Sequence, residues 1–145
     1  MARPALAEAR RSAVLLAAMA CTASACSLDI GGGPPPRRAR VILTSEDGTV
    51  AQVLTSLDFV IDTGGTIDAG GAIPVISGLP FEETFELLDP PRIFVRVTPP
   101  DTLTDLTVSL QILLDGELFT TQSDIIGPSG RGELQFLYRY TRPTL

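Results

Sequence analysis

Hydrophobic and polar side chains alternate with a period of two along most of the chain beyond residue 40. In 107–114, for example, Val108, Leu110 and Ile112 fall on one side, and Ser109 and Gln111 fall on the other. This alternation is typical of β-strands with one buried and one exposed face. The same pattern predicts further strands over 57–62, 81–87, 92–97 and 133–140, and shorter ones over 41–44, 50–54, 73–76 and 118–122.

Turn-forming residues separate these runs. Asp115-Gly116 lies directly between two predicted strands and is a strong signal for a two-residue hairpin, and Asp47-Gly48 is a second such signal. Pro74 lies inside its run and marks an edge strand, because proline has no N–H to donate to a sheet.

Seven to nine short strands, spaced about 8–12 residues apart, indicate two packed antiparallel sheets. We therefore predict an all-β fold over 40–142, an immunoglobulin-like antiparallel β-sandwich. The chain lacks the Cys–Trp–Cys core of true immunoglobulin domains, because it contains no tryptophan. Phe136, Tyr138 and Tyr140 form an aromatic stripe that we expect to belong to the core or to a cross-strand ladder.

The N-terminal segment differs in character from the rest of the chain. Arg3, Arg10 and Arg11 are followed by a nine-residue apolar stretch over 12–20 and then by small residues. This order predicts a signal peptide over 1–25. The apolar stretch is too short to span a bilayer, which takes about 20 apolar residues. A buried amphipathic helix is the competing interpretation.

Both cysteines of the chain, Cys21 and Cys26, lie at the end of this segment. Ala23-Ser24-Ala25-Cys26 resembles the lipobox of bacterial lipoprotein precursors, although Ala23 stands where a larger aliphatic residue is usual. The resemblance implies that Cys26 becomes the lipidated first residue of the mature protein. Cys21 is the alternative anchor, preceded by the bulkier Met19. Two more interpretations are a simple secretory signal and a disulfide between the two cysteines.

Residues 26–39 are expected to comprise the lipidated cysteine and a flexible linker. Gly31-Gly32-Gly33 is flexible and Pro34-Pro35-Pro36 is stiff, and an extended chain over 28–40 would reach at most about 40 Å. Ser27, rather than Asp, follows Cys26, and resemblance to lipoprotein sorting signals then implies the outer membrane. We expect a protein of the cell envelope that faces the periplasm or the cell surface.

Composition excludes several chemistries. Lys, His, Asn and Trp are absent, so catalytic His pairs, imidazole metal ligands and Schiff-base lysines cannot form. Over 40–142, 15 acidic residues stand against six arginines, a net charge of −9, which repels nucleic acid. We expect no cofactor and no nucleic-acid partner.

One segment has a catalytic resemblance. Residues 59–66 contain Asp62-Thr63-Gly64 after hydrophobic residues and resemble the active-site turn of aspartic proteases, and 124–127 resemble the segment that follows it in retroviral-type enzymes. The resemblance implies a homodimer in which Asp62 acts as general base. The alternative, which we favour, is that Asp62 opens an ordinary turn with glycine at positive φ. We therefore expect no catalytic residue.

Acidic residues in turns raise the question of metal binding. Asp101 with Asp105, and Asp62 with Asp68, could offer oxygens to Ca²⁺, but the chain contains no D-x-D-x-D-G loop, and we expect no metal site. On the predicted strand over 81–87, Glu82 and Glu86 should share an outward, solvated face.

The stretch over 78–140 resembles the ectodomain of the MmpS family of small mycobacterial membrane proteins. The resemblance rests on Leu79-Pro80-Phe81 at the start of a strand and on the hairpin over 113–117. It implies an immunoglobulin-like sandwich and a role as accessory subunit of a lipid or siderophore exporter. The chain departs from the family by lacking its pair of ectodomain cysteines and by carrying a lipoprotein-like signal in place of its membrane helix.

Together these features predict an exported, lipid-anchored β-sandwich that acts as a non-enzymatic binding or accessory module. Exposed sheet edges would be its contact surface, through strand addition. The competing functions are a carrier of a small apolar ligand or lipid and an aspartic protease using Asp62.

Overall fold

A computed structural model of the chain describes residues 33–142, which form β-strands and no helix. The strands are β1 (Arg38–Ser45), β2 (Val50–Ser56), β3 (Val60–Ile61), β4 (Ile67–Asp68), β5 (Val75–Gly78), β6 (Phe81–Glu86), β7 (Arg92–Thr98), β8 (Leu106–Leu114), β9 (Glu117–Ile126) and β10 (Leu134–Arg139).

Eight of these strands form two four-stranded sheets, and β3 and β4 form a separate hairpin. Sheet A has the order β6-β1-β8-β9, and sheet B has the order β10-β7-β2-β5. Every neighbouring pair is antiparallel. Consecutive strands mostly lie in different sheets. β5 and β6 are the end strands on one side of the sandwich, and β9 and β10 are the end strands on the other.

The core lies between the two sheets and consists of the apolar half of each alternating pattern. Val41 and Leu43 of β1 stand opposite Ile112 and Leu110 of β8, and all four side chains are fully buried. Residues that face each other directly in an antiparallel pair point to the same side of the sheet, so the period-two pattern fills one continuous layer. In sheet B the corresponding buried residues of β7 are Ile93, Val95 and Val97.

A second, smaller cluster covers the outer face of sheet B. Leu54 and Phe94 point away from the main core, yet they are buried because the chain after β2 folds back over them. Phe59 packs against Phe94 with ring centroids 6.0 Å apart, and the β3–β4 hairpin adds Ile61 and Ile67. The outer face of sheet B is therefore partly a second apolar interface.

The prediction of an all-β antiparallel sandwich is confirmed. The immunoglobulin-like arrangement is not confirmed, because β1 and β2 lie in different sheets, whereas the immunoglobulin order places its first two strands side by side in one sheet. The first strand begins at Arg38, two residues before the predicted boundary.

The strand predicted over 57–62 was wrong in extent, because β3 covers two residues of it. The chain turns after β2, where the Ser56 hydroxyl donates to the Ala69 carbonyl at 2.8 Å, and the backbone N–H of Asp58 donates back to that hydroxyl. Phe59 and Ile61 of this segment pack into the second cluster, whereas Leu57 packs against the main core.

Asp47-Gly48 was predicted to close a hairpin but instead connects the two sheets. The Asp47 carboxylate accepts hydrogen bonds from the backbone N–H and the hydroxyl of Thr107, both at 2.9 Å, and so ties this connection to β8. The hairpin predicted at Asp115-Gly116 is present between β8 and β9. Pro74 does precede an edge strand, since β5 ends sheet B.

Truncation of the fully buried Phe94 tests the second cluster. We expect Phe94→Ala to lower the free energy of unfolding by about 3–5 kcal/mol, because the substitution leaves a cavity beneath Phe59. Leu103→Ala is the control, since Leu103 is 87% exposed and its truncation should change stability by less than about 0.5 kcal/mol. Urea unfolding of both variants measures the difference, and equal stabilities would contradict the packing described here.

Candidate binding edge

The two ends of the sandwich differ in how they are filled. At the β9–β10 end, the Phe119 ring lies between the sheets, with its centroid 6.0 Å from that of Phe136 and 5.3 Å from that of Tyr138. Both contacts are edge-to-face, an arrangement that aromatic rings favour. The predicted aromatic stripe is thus part of the core, and it closes this end.

The opposite end is open. Here a cleft of about 340 Å³ lies between β5 and β6. The name β5–β6 edge is used below for these two strands together with the residues that line the cleft. Its apolar walls come from Val53 of β2, Val75 of β5, and Phe81 and Phe85 of β6. Both phenylalanines are half-buried, so the cleft exposes apolar surface of the sandwich interior.

Exposed hydrophobic side chains are concentrated next to this cleft. Ile73, Val75 and Ile76 are 75%, 56% and 65% exposed. Val75 stands opposite the buried Val53 and therefore faces inward, whereas Ile76 stands opposite Gln52 and faces outward. Large apolar side chains clustered on an end strand mark an interaction surface more often than isolated ones do.

The other strand of the edge carries charge. Glu82 and Glu86 point outward as predicted, and they form ion pairs with Arg40 and Arg38 of β1. Glu83 stands opposite the buried Val41, which places its carboxylate on the inner side of sheet A, at the mouth of the cleft. The alternation over 81–87 puts Glu83 on the face of Phe81 and Phe85, but it gives no role to an acid in that position.

The N-terminal end of the described chain is bound to the domain. The Tyr140 hydroxyl donates to the Gly33 carbonyl at 3.1 Å. The Asp115 carboxylate accepts the backbone N–H groups of Arg37 and Arg38 at 3.0 and 2.9 Å. The segment over 33–37, which includes the three prolines, is thereby fixed across the end of the sandwich that carries the β8–β9 turn.

Asp62 lies in the turn of the β3–β4 hairpin, and its carboxylate serves that turn. One oxygen accepts the backbone N–H groups of Gly64 and Thr66, both at 2.8 Å. Gly65 has φ +82°, the left-handed conformation that the turn requires. The residues of the protease-like motif thus form the hydrogen bonds of an ordinary turn.

The second segment of that resemblance lies elsewhere. Asp124 belongs to β9 at the end of sheet A and forms an ion pair with Arg131 at 2.9 Å. Sheet B lies between this segment and the β3–β4 hairpin, so the structure does not bring Asp62 and Asp124 together. The two segments of the protease-like resemblance are therefore apart within residues 33–142, and the catalytic role of Asp62 stays an untested prediction.

Three aspartates, Asp47, Asp101 and Asp105, act as hydrogen-bond acceptors at the end of the sandwich opposite the β8–β9 turn. The hydroxyl of Thr104 and the backbone N–H groups of Leu103 and Thr104 hold the pKa of Asp101 below its ordinary value of 3.8. Ser129 does the same for the pKa of Asp105, partly opposed by desolvation and by repulsion from Asp47. Over 33–142, no three acidic side chains come together as a metal site.

The features predicted for the N-terminus fall outside the described part of the chain. The signal peptide, Cys21 and Cys26 all lie before residue 33, and their lipidation stays a prediction. Within 33–142, no helix has the length and hydropathy needed to cross a membrane.

Comparison with known proteins gives no relative. A scan against protein-family models found no match, and searches of curated proteins and of solved structures found none either. The MmpS resemblance therefore remains an expectation from the motifs at 79–81 and 113–117.

Acid should weaken the connection that Asp47 ties to β8. Hydrogen bonds from Thr107 lower the pKa of Asp47, so the stability they add is present above 3.8 and is lost as the pH falls through the lowered pKa. We expect Asp47→Asn to be less stable than the parent at pH 7 and the two stabilities to converge once the pH falls below the lowered pKa of Asp47. Urea unfolding across this range measures the effect.

Glu46→Gln is the matched control, because Glu46 is an exposed neighbour of Asp47 and loses the same charge. A stability difference between Asp47→Asn and the parent that persists unchanged in acid would contradict the role assigned to the carboxylate.

Proposed function

We propose that the protein is an exported envelope lipoprotein whose β-sandwich is a non-enzymatic binding module, with the β5–β6 edge as its contact surface. The observation that carries the binding role is the open cleft of about 340 Å³, flanked by the exposed Ile73, Val75 and Ile76. Export and lipidation rest on the N-terminal sequence. An extended segment of a partner could pair with the free side of β5 and place its side chains in the cleft, which is the recognition mode called strand addition.

The attachment of the domain favours display at a surface. Because residues 33–37 are bound to the sandwich, the free tether between a lipidated Cys26 and Gly33 is at most about 25 Å long. This is shorter than the reach of about 40 Å expected from 28–40. The domain would be held close to the lipid, with its β8–β9 turn nearest the anchor and its acidic loops, including Asp47 and Asp101, pointing away.

The outer membrane and an accessory role beside an envelope transporter are the finer parts of the proposal. They rest on Ser27 and on the MmpS-like motifs respectively. A lipid carrier is the second candidate, because the same cleft is largely apolar. Native mass spectrometry of protein purified from its own membrane distinguishes the two, since a co-purifying lipid in the cleft would favour the carrier.

Substitution of the two cysteines tests the anchor. We expect Cys26→Ser to move the protein from the detergent phase to the aqueous phase and to remove the acyl mass from the N-terminal peptide, because no thiol remains to be acylated. Cys21→Ser is the matched control and should leave both unchanged. The reverse pattern would make Cys21 the anchor. If neither substitution changed the acyl mass or the phase in which the protein is found, lipidation of a cysteine would be contradicted.

Site-specific cross-linking tests the contact surface. A photoreactive residue at position 76 of the full-length protein should give a discrete adduct in intact envelopes, because Ile76 lies on the exposed edge strand. The same group at Ser123, exposed on the opposite end strand β9, is the control. Absence of an adduct at 76, or equal adducts at both positions, would contradict binding at this edge.

A further inference from the structure

The β5–β6 edge is rich in negative charge and has no positive charge of its own. The stretch over 73–91 contains four acidic residues and no arginine, and the whole chain contains no lysine. Three of the four are partnered in the structure: Glu82 with Arg40, Glu86 with Arg38, and Asp89 with Arg142 at 3.8 Å.

Glu83 is the fourth, and its position is unusual. Its side chain points to the inner side of sheet A, between Phe81 and Phe85, where an end strand normally contributes an apolar residue. Within residues 33–142, no cation forms an ion pair with its carboxylate. A charge on the inner side of an edge strand discourages pairing with neutral strands, because pairing would desolvate the carboxylate.

We infer that the partner of this edge is an extended segment of another protein in which apolar residues alternate with Lys or Arg. This inference rests on the proposed function and gives the chemistry of the partner. A strand paired with β5 would place every second side chain inward, beneath Glu83, and the others outward beside Ile76. An inward Lys or Arg would neutralise Glu83, and an outward apolar residue would cover Ile76.

A second copy of the chain fits this edge less well. Pairing of β5 with β5 of another molecule would bring two Glu83 carboxylates to one interface and would supply no cation from 73–91. Like charges in a partly desolvated interface repel each other, so the charge pattern favours a basic partner over self-association.

Synthetic peptides test this inference with the full-length protein in detergent. The probes are three fluorescent ten-residue peptides in which Val alternates with Arg, Gln or Glu, and anisotropy measures their binding. We expect the Val/Arg peptide to bind more tightly than the Val/Gln peptide and the Val/Glu peptide to bind most weakly. Glu83→Gln should weaken Val/Arg binding about twofold to fivefold, the upper range of an exposed charge pair.

Glu117→Gln is the matched control, because it removes the same charge from the exposed end of β9 at the opposite side of the sandwich. It should leave the affinity for the Val/Arg peptide unchanged.

Two results separate this inference from the function on which it rests. If the Val/Arg and Val/Gln peptides bind equally, Glu83→Gln has no effect, and Ile76→Asp abolishes both, the basic partner is overturned while the binding edge stands. If no peptide binds, or if the protein self-associates through Ile76, both the basic partner and strand addition by a foreign segment are overturned.

Discussion

Burial of the inner side chains of two antiparallel sheets is the interaction on which the rest of the structure depends. This burial fixes the register of each strand, because a slip of one residue in β1 would replace Ala39, Val41 and Leu43 in the core by Arg40, Ile42 and Thr44. The same layer decides which side of the sandwich is accessible. At the β9–β10 end, Phe119 fills the space between the sheets, so this end is closed. At the β5–β6 end, Ser77 and Glu83 occupy inner positions and leave the space unfilled.

The acidic character of the domain has a structural explanation in its loops. Asp62 and Asp101 each accept hydrogen bonds from backbone N–H groups of their own turn or loop, and Asp47 accepts one from Thr107 at the start of β8. A carboxylate accepts several such bonds without needing a donor of its own, which suits tight connections between sheets. Many of the acids that could suggest chemistry in the sequence are therefore part of the fold.

Alternation was sufficient to predict the fold class and most of the strands, since β6, β7, β8 and β10 lie where their patterns place them. It could not assign strands to sheets, because a period of two says which side chains are buried but not which strand lies alongside. The prediction at Asp47-Gly48 was wrong for that reason. The prediction over 57–62 was wrong because the outer face of sheet B is itself apolar at Leu54 and Phe94, and a chain segment covering it has the same composition as a strand.

The candidate edge was only partly predictable for a similar reason. Pro74 indicated an edge strand, and the pattern over 81–87 predicted the outward face of Glu82 and Glu86. The cleft itself depends on β5 and β6 ending two different sheets on the same side, and this is a property of the strand order that no local pattern contains.

The strand order also has a consequence for how the chain acquires its structure. β1 is the first strand, yet it lies between β6 and β8, with Arg38 beside Glu86 and Ala39 beside Leu114. The central strand pairs of sheet A join residues far apart in sequence, so long loops of chain must close before these pairs can form. Domains with such topologies fold on the order of milliseconds to seconds. A polypeptide that ends before residue 106 would leave one side of β1 without its neighbour, so sheet A can be completed only after most of the molecule has been synthesised.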